Sequence, residues 1–143
     1  MPEPTGLEGL RILIAEDNLF AAMELEQTLL AFGCQPVGPV ARLDEALRLA
    51  LSEDLDGALL DVELQGQMVF AVAEELQRRR IPLIFASGYG TDDAFPAAFV
   101  HHPRLAKPFG EDDVRRALVA MVAGTSGLEA PRRSAARKPV QEG

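Results

Sequence analysis

The chain has one cysteine, one tyrosine, no tryptophan and two histidines among its 143 residues. The single thiol, Cys34, cannot close an internal disulfide and has no partner at metal-ligand spacing. This excludes a cysteine-based metal site and suits a reducing compartment. Cationic residues are in deficit: 14 lysines and arginines stand against 22 aspartates and glutamates, a formal net charge of −8. Such a balance argues against a general nucleic-acid binder and against a surface that seeks anionic lipid. Long apolar runs are missing too, none approaching the ~20 residues of a membrane span. Residues 1–9 carry two glutamates and no basic residue ahead of the first apolar run, so no secretory signal is expected. A cytoplasmic protein with no nucleic-acid or membrane partner is the expectation.

What is present is a 48% hydrophobic chain, of a length that fits one domain comfortably. Its apolar residues alternate between two periodicities. Residues 10–15 form a short, nearly continuous apolar run, the pattern of a strand buried on both faces. Asn18 is placed to cap a helix carrying Ala22, Leu25, Leu29 and Phe32 at helical spacing, with Gly33 as its stop. A second strand fits 36–40, and the helix after it presents Leu43, Leu47, Ala50 and Leu51. Asp56-Gly57 breaks the pattern before a third strand at 58–62. The next helix shows Val69, Val72, Ala73 and Leu76 and ends in Arg78, Arg79 and Arg80, cations suited to the negative end of a helix dipole. A fourth strand fits 82–86. Gly88, Gly90 and Pro96 then interrupt regularity, predicting a loop or at most a short helix over 88–100. Leu105 and Ala106 belong to a short fifth strand, and a final helix follows Gly110 with Val114, Ala117, Leu118 and Met121 on one face. Strands joined by crossover helices in this order predict a three-layer α/β sandwich around a parallel sheet.

Beyond residue 123 the composition turns to Gly, Ser, Pro, Ala and Arg, with Leu128 and Val140 the larger apolar residues. A segment of this kind does not offset its ordering entropy, so 124–143 is expected to be a disordered tail. Its four cations, Arg132, Arg133, Arg137 and Lys138, outnumber Glu129 and Glu142. They are expected to be solvated rather than to form a nucleic-acid patch.

In an open parallel sheet, ligands bind beyond the carboxyl ends of the strands. The polar residues there are Glu16 and Asp17 after strand one, Asp61 at the end of strand three, Ser87 after strand four and Lys107 after strand five. Singly, each has a plain reading: Asp61 could cap a loop, Glu16 and Asp17 could complement a helix dipole, Ser87-Gly88 could serve a turn, and Lys107 could be a solvated cation. Together, three carboxylates within a few ångströms would repel one another unless a cation compensated them. Mg2+, which seeks oxygen and keeps several waters, is the natural compensator. One carboxylate could then act as nucleophile toward phosphorus while the metal and a lysine neutralise the transferring group.

The motifs ALLDV (58–62), ED (16–17), FASG (85–88) and KPF (107–109) resemble those of bacterial response-regulator receiver domains over about residues 10–123. The resemblance implies a flavodoxin-like sandwich with strand order 2-1-3-4-5, a receiver domain over 8–123, and a fourth helix that is short or irregular. By it, Asp61 accepts the phosphoryl group, Asp17 binds Mg2+ directly, Glu16 binds it through water, and Glu63 contributes its backbone carbonyl. Ser87 is then the switch hydroxyl and Lys107 the phosphate-pairing lysine. The implied partners are a histidine kinase or phosphotransfer protein and a downstream signalling protein, with the chain a monomer or weak homodimer. It would catalyse only its own phosphorylation and dephosphorylation.

PLIFASGYG (82–90) and the stretch from Asp61 through Gln65-Gly66 to Val72-Ala73 resemble the single-domain FATGUY group more specifically. Ser87 stands where that group has threonine, and Arg104 stands where ordinary receivers place a switch Tyr or Phe. Tyr89 is the one tyrosine that could replace it. Too few residues follow the last helix for an output domain, so output through protein contacts, or action as a phosphate sink, is expected. Two other readings stay open. One is a pseudo-receiver that is never phosphorylated. The other is a Mg2+-dependent aspartyl-phosphate phosphatase, in which Glu63 would occupy the acid/base position. His101-His102 are adjacent, so their side chains diverge, and a surface loop is expected there.

Overall fold

The structure is a computed structural model, and it describes residues 6–88 and 95–126. Its elements run β1 (Arg11–Ala15), α1 (Leu19–Ala31), β2 (Gln35–Val40), α2 (Leu43–Ser52), β3 (Gly57–Asp61), β4 (Glu63–Leu64), β5 (Gln67–Met68), α3 (Phe70–Arg78), β6 (Leu83–Ser87), β7 (Arg104–Ala106) and α4 (Glu111–Ser126). Five of the strands form one parallel sheet in the order β2-β1-β3-β6-β7, and β4 and β5 form a separate antiparallel hairpin. In terms of the five sheet strands this is the 2-1-3-4-5 order of a flavodoxin-like sandwich.

The strand sequences explain the layering. Every residue of β3 and β6 is buried, as expected of central strands covered on both faces. Alternate residues of a strand point to opposite faces. Ile12, Ile14, Leu59 and Ile84 therefore pack with Leu25 and Leu29 of α1 and with Val114, Leu118 and Met121 of α4. Leu13, Leu60 and Phe85 pack on the other side with Ala46 and Ala50 of α2 and Val72 and Leu76 of α3. Each such aliphatic or aromatic side chain contributes roughly 1.5–3 kcal/mol relative to exposure. The edge strand β2 is only half-buried and contains Pro36 and Pro39, residues that cannot donate to a ladder on both sides.

Most predicted elements appear within a residue or two of their expected bounds. The cap of α1 is as read: Asn18 accepts the Ala21 amide at 2.9 Å. The apolar face of α2 differs, because Ala46 and Ala50 are its buried residues while Leu51 is 54% exposed. The inward stripe runs 43, 46, 47, 50 at helical spacing, and Leu51 falls at its edge. The hairpin of β4 and β5 was not foreseen at all. Within 88–100, residues 97–99 form a single 3₁₀ turn, while Tyr89 and residues 90–94 lie outside the described residues. Helix α4 includes Gly124 and continues to Ser126, past the expected boundary at 123, and 127–143 lie outside the described residues. Among the described residues, no helix is long and apolar enough to cross a membrane.

An aromatic cluster closes the α2/α3 face. Phe85 meets Phe70, Phe95 and Phe99 at centroid distances of 5.7, 5.1 and 5.7 Å, mostly edge to face, an arrangement that adds to simple burial. His102 packs on the Phe85 and Phe99 rings at 5.9 and 5.2 Å, whereas His101 is exposed. The two histidines do diverge, but His102 is half-buried packing rather than open loop. Burial holds its pKa below the ordinary 6.5. The unfolded chain therefore takes up a proton before the folded one does, so stability is fully present above pH 6.5 and falls as pH drops toward the folded value. Denaturation midpoints measured across that window should decline for the native chain and flatten for His102→Phe. An equal decline in both would show that His102 is not the cause.

Candidate functional site

The carboxyl ends of the sheet strands bring five sequence-predicted residues to one edge. β1 runs directly into Glu16 and Asp17, β3 ends on Asp61, and β6 ends on Ser87. Asp61 pairs with Ala86 across β3 and β6, so Ser87 stands one residue beyond it on the adjacent strand. Lys107 follows β7, and its amide donates to the Ser87 carbonyl at 2.9 Å. Ser87 and Asp61 are both buried, and Glu16 is only 2% exposed.

Lys107 joins the parts. Its Nζ donates to Asp61 Oδ2 at 3.0 Å and to Glu16 Oε1 at 3.1 Å. The second oxygen of each acid is also engaged: Glu16 Oε2 accepts the Asn18 amide at 2.9 Å, and Asp61 Oδ1 accepts the Glu63 amide at 3.3 Å. Asp17 is exposed, and its Oδ2 accepts the Gln65 amide at 2.7 Å. One oxygen from each of Glu16, Asp17 and Asp61 lies within 4.8 Å of the other two. The donor set fits Mg2+: all three are hard oxygens, and one ammonium balances only one of the three charges.

The electrostatics carry the same imbalance. Burial pushes the Glu16 carboxyl above its usual range; repulsion from Asp61 adds to this, and the Asn18 amide and Lys107 oppose it. Burial works against the charge on Lys107, but its bonds to Asp61 and Glu16 and their attraction outweigh this and raise its pKa.

The Glu63 side chain is exposed and is not one of the three clustered carboxylates, while its amide donates to Asp61 Oδ1. Arg104, at the position of the missing switch aromatic, lays its guanidinium 3.6 Å from the centre of the Phe95 ring and donates to the Val100 carbonyl at 2.9 Å. Cys34 is buried, with Sγ donating to the Leu7 carbonyl at 3.4 Å. The backbone donors of Asn18, Glu63 and Gln65 escaped sequence reasoning because every residue but proline carries that group. A groove of about 830 Å³ lies beside the site between α1 and the connection from β7 to α4, with Phe20, Leu25, Lys107, Phe109 and Val114 among its lining residues.

No family model matches the chain, and no curated protein sequence matches it. Solved structures do. SdrG from Sphingomonas melonis is 41% identical with a TM-score of 0.70, over 79% of this chain and 96% of that one. SdrG in its BeF3-activated conformation is 40% identical with a TM-score of 0.64, over 84% and 98%. The receiver domain of a sensor histidine kinase from Pseudomonas aeruginosa, described with a magnesium ion coordinated in its active-site cleft, is 25% identical with a TM-score of 0.70, over 80% and 98%. The signal receiver domain of a modulated diguanylate cyclase from Desulfovibrio desulfuricans is 28% identical with a TM-score of 0.76, over 85% and 100%. The chain belongs to the bacterial response-regulator receiver-domain family, with the fold of that family and an acidic cluster compatible with Mg2+.

Removing the ammonium should expose the repulsion that it masks. In Lys107→Ala, the Glu16 carboxyl is expected to titrate higher than in the native chain, as read by carbon-detected NMR without divalent cations. An unchanged or lower value would contradict the electrostatic account.

Proposed function

We propose that this chain is a phosphorylation-driven signalling module in which Asp61 accepts a phosphoryl group from the phosphohistidine of a histidine kinase or phosphotransfer protein. The observation that carries this reading is the Lys107 ammonium held between Asp61 and Glu16 beside a third carboxylate, Asp17. An Asp61 oxygen attacks phosphorus, the new O–P bond forms as the P–N bond breaks, and the imidazole leaves with the electron pair. Asp17, Asp61, the Glu63 carbonyl and, through water, Glu16 would hold Mg2+, which would supply positive charge to offset that of the phosphoryl oxygens. Lys107 supplies a compact positive charge to the phosphoryl oxygens, and the Ser87 hydroxyl donates to one of them once it is attached. The groove at α1, where Phe20 is 80% exposed, receives the donor protein.

The receiver unit begins at residue 8 and includes the whole of α4, which runs to Ser126. Signalling runs through contacts with a downstream protein, or the module drains phosphoryl groups from a kinase. The module works in the cytoplasm as a monomer or weak homodimer, without nucleic-acid or membrane contacts, and it acts catalytically only on its own phosphorylation state. The PLIFASGYG segment and the stretch from Asp61 through Gln65-Gly66 to Val72-Ala73 support a place in the FATGUY group.

With phosphoramidate and Mg2+, the chain should gain one phosphoryl group as an acyl phosphate that Asp61→Asn cannot form. Mass spectrometry reads this directly. Label surviving that substitution would refute Asp61 as acceptor, and a chain left unmodified even by a cognate kinase would be a pseudo-receiver. Lys107→Ala is expected to accept some phosphoryl groups yet lose phosphorylation-dependent partner binding in a pull-down. Native recruitment by that variant would remove Lys107 from the signalling path.

A further inference from the structure

We infer that the Gln65–Gly66 turn is a positioning element for the metal site, holding Asp17 so that it offers a single oxygen to the cation. This rests on the reading of the acidic cluster as the Mg2+ site. Glu16 and Asp61 are buried and already fixed by Lys107. Asp17 is exposed, and a carboxylate in solvent rotates freely unless something orients it. What orients it is the Gln65 amide, 48 residues away in sequence and 2.7 Å from Oδ2.

The turn is built to hold that amide still. It caps the hairpin of β4 and β5, in which Glu63 pairs with Met68 and Leu64 with Gln67. Leu64 is fully buried, Met68 packs against the core, and the Val69 amide donates to the Val62 carbonyl at 2.8 Å. The tip is exposed, as are Glu63 and Gln67 beside it, and both tip residues have positive φ, 49° at Gln65 and 84° at Gly66, as the tight turns matched to strand twist require. A Cβ built on Gly66 meets nothing within 4 Å, so backbone conformation rather than space calls for glycine there. Asparagine tolerates that conformation, and a β-branched residue does not.

The chemical consequence concerns which cation fits. With Oδ2 taken by a short amide bond, Asp17 presents its other oxygen alone. Mg2+ takes single oxygens in a tight octahedron, whereas Ca2+ takes six to eight and often both oxygens of one carboxylate. The turn therefore favours Mg2+ over Ca2+, in the way that outer groups commonly set ligand orientation at metal sites.

The test titrates the full chain with Mg2+ and separately with Ca2+, following backbone amide resonances, for the native protein, Gly66→Val and Gly66→Asn. Thermal unfolding serves as the control for folding. Gly66→Val should lose Mg2+ affinity by about tenfold or more, lose less for Ca2+, and lose hydrogen-exchange protection at the Gln65 amide. Gly66→Asn should keep native values on all three counts. A folded Gly66→Val with native Mg2+ affinity, or with equal losses for both cations, would overturn the inference. Should Gly66→Val fail to fold, Gly66→Ala, which adds one methyl into open space, is read by the same criteria. A native chain that binds no Mg2+ refutes the assignment of the cluster, and the role of the turn with it. Native binding with an indifferent Gly66→Val refutes the turn alone.

Discussion

The Lys107 ammonium reaches from the end of β7 to acids at the ends of β1 and β3, and the chemistry of the chain is organised around that bridge. It sits among three carboxylates, two of them buried, and neutralises only one charge. A burial pattern of this kind is costly for a fold that seeks only stability, because partly compensated buried charge is repaid only by excellent geometry and further hydrogen bonds. The chain supplies those bonds from its backbone: the amides of Asn18, Glu63 and Gln65 each take one carboxylate oxygen. The residual negative charge is what a divalent cation would meet.

The fold makes this concentration of charge possible. Parallel strands all end on the same edge, so residues far apart in sequence arrive together without any helix having to bend toward them. β6 shows how one strand serves both packing and chemistry. Phe85 and Ser87 lie two residues apart and so share a face of the sheet. One anchors the cluster formed with Phe70, Phe95 and Phe99, and the other stands at the strand end, one position beyond the Ala86 partner of Asp61. Arg104 extends that cluster by covering Phe95 while bonding to Val100, so the described part of the segment before β7 is tied back onto the core.

Much of this was legible in the sequence because it depends on residue type. Continuous apolar runs such as 83–86 announce buried parallel strands, and acids or a lysine directly after such runs announce the strand-end site. What escaped depends on conformation. The hairpin at 63–68 has no Asn-Gly or Asp-Gly signal, and its first turn residue is a glutamine held at positive φ. The amide donors leave no trace in residue identity. Arg104 was legible as a missing aromatic, but its partner Phe95 comes from nine positions earlier, and that pairing exists only in three dimensions. His102 looked like a surface residue because its packing rings, Phe85 and Phe99, belong to other segments.

Uncompensated carboxylate charge at the strand ends defines the site, and Mg2+-dependent stability measures it most directly. A ligand that binds only the folded state stabilises it by about 2.7 kcal/mol at a concentration 100 times its dissociation constant. Urea denaturation of the native chain at rising Mg2+ should show a growing free energy of unfolding, and Asp17→Asn should remove that growth while the chain remains folded. Stability indifferent to Mg2+ in the native chain, or the same increase in Asp17→Asn, would contradict the account.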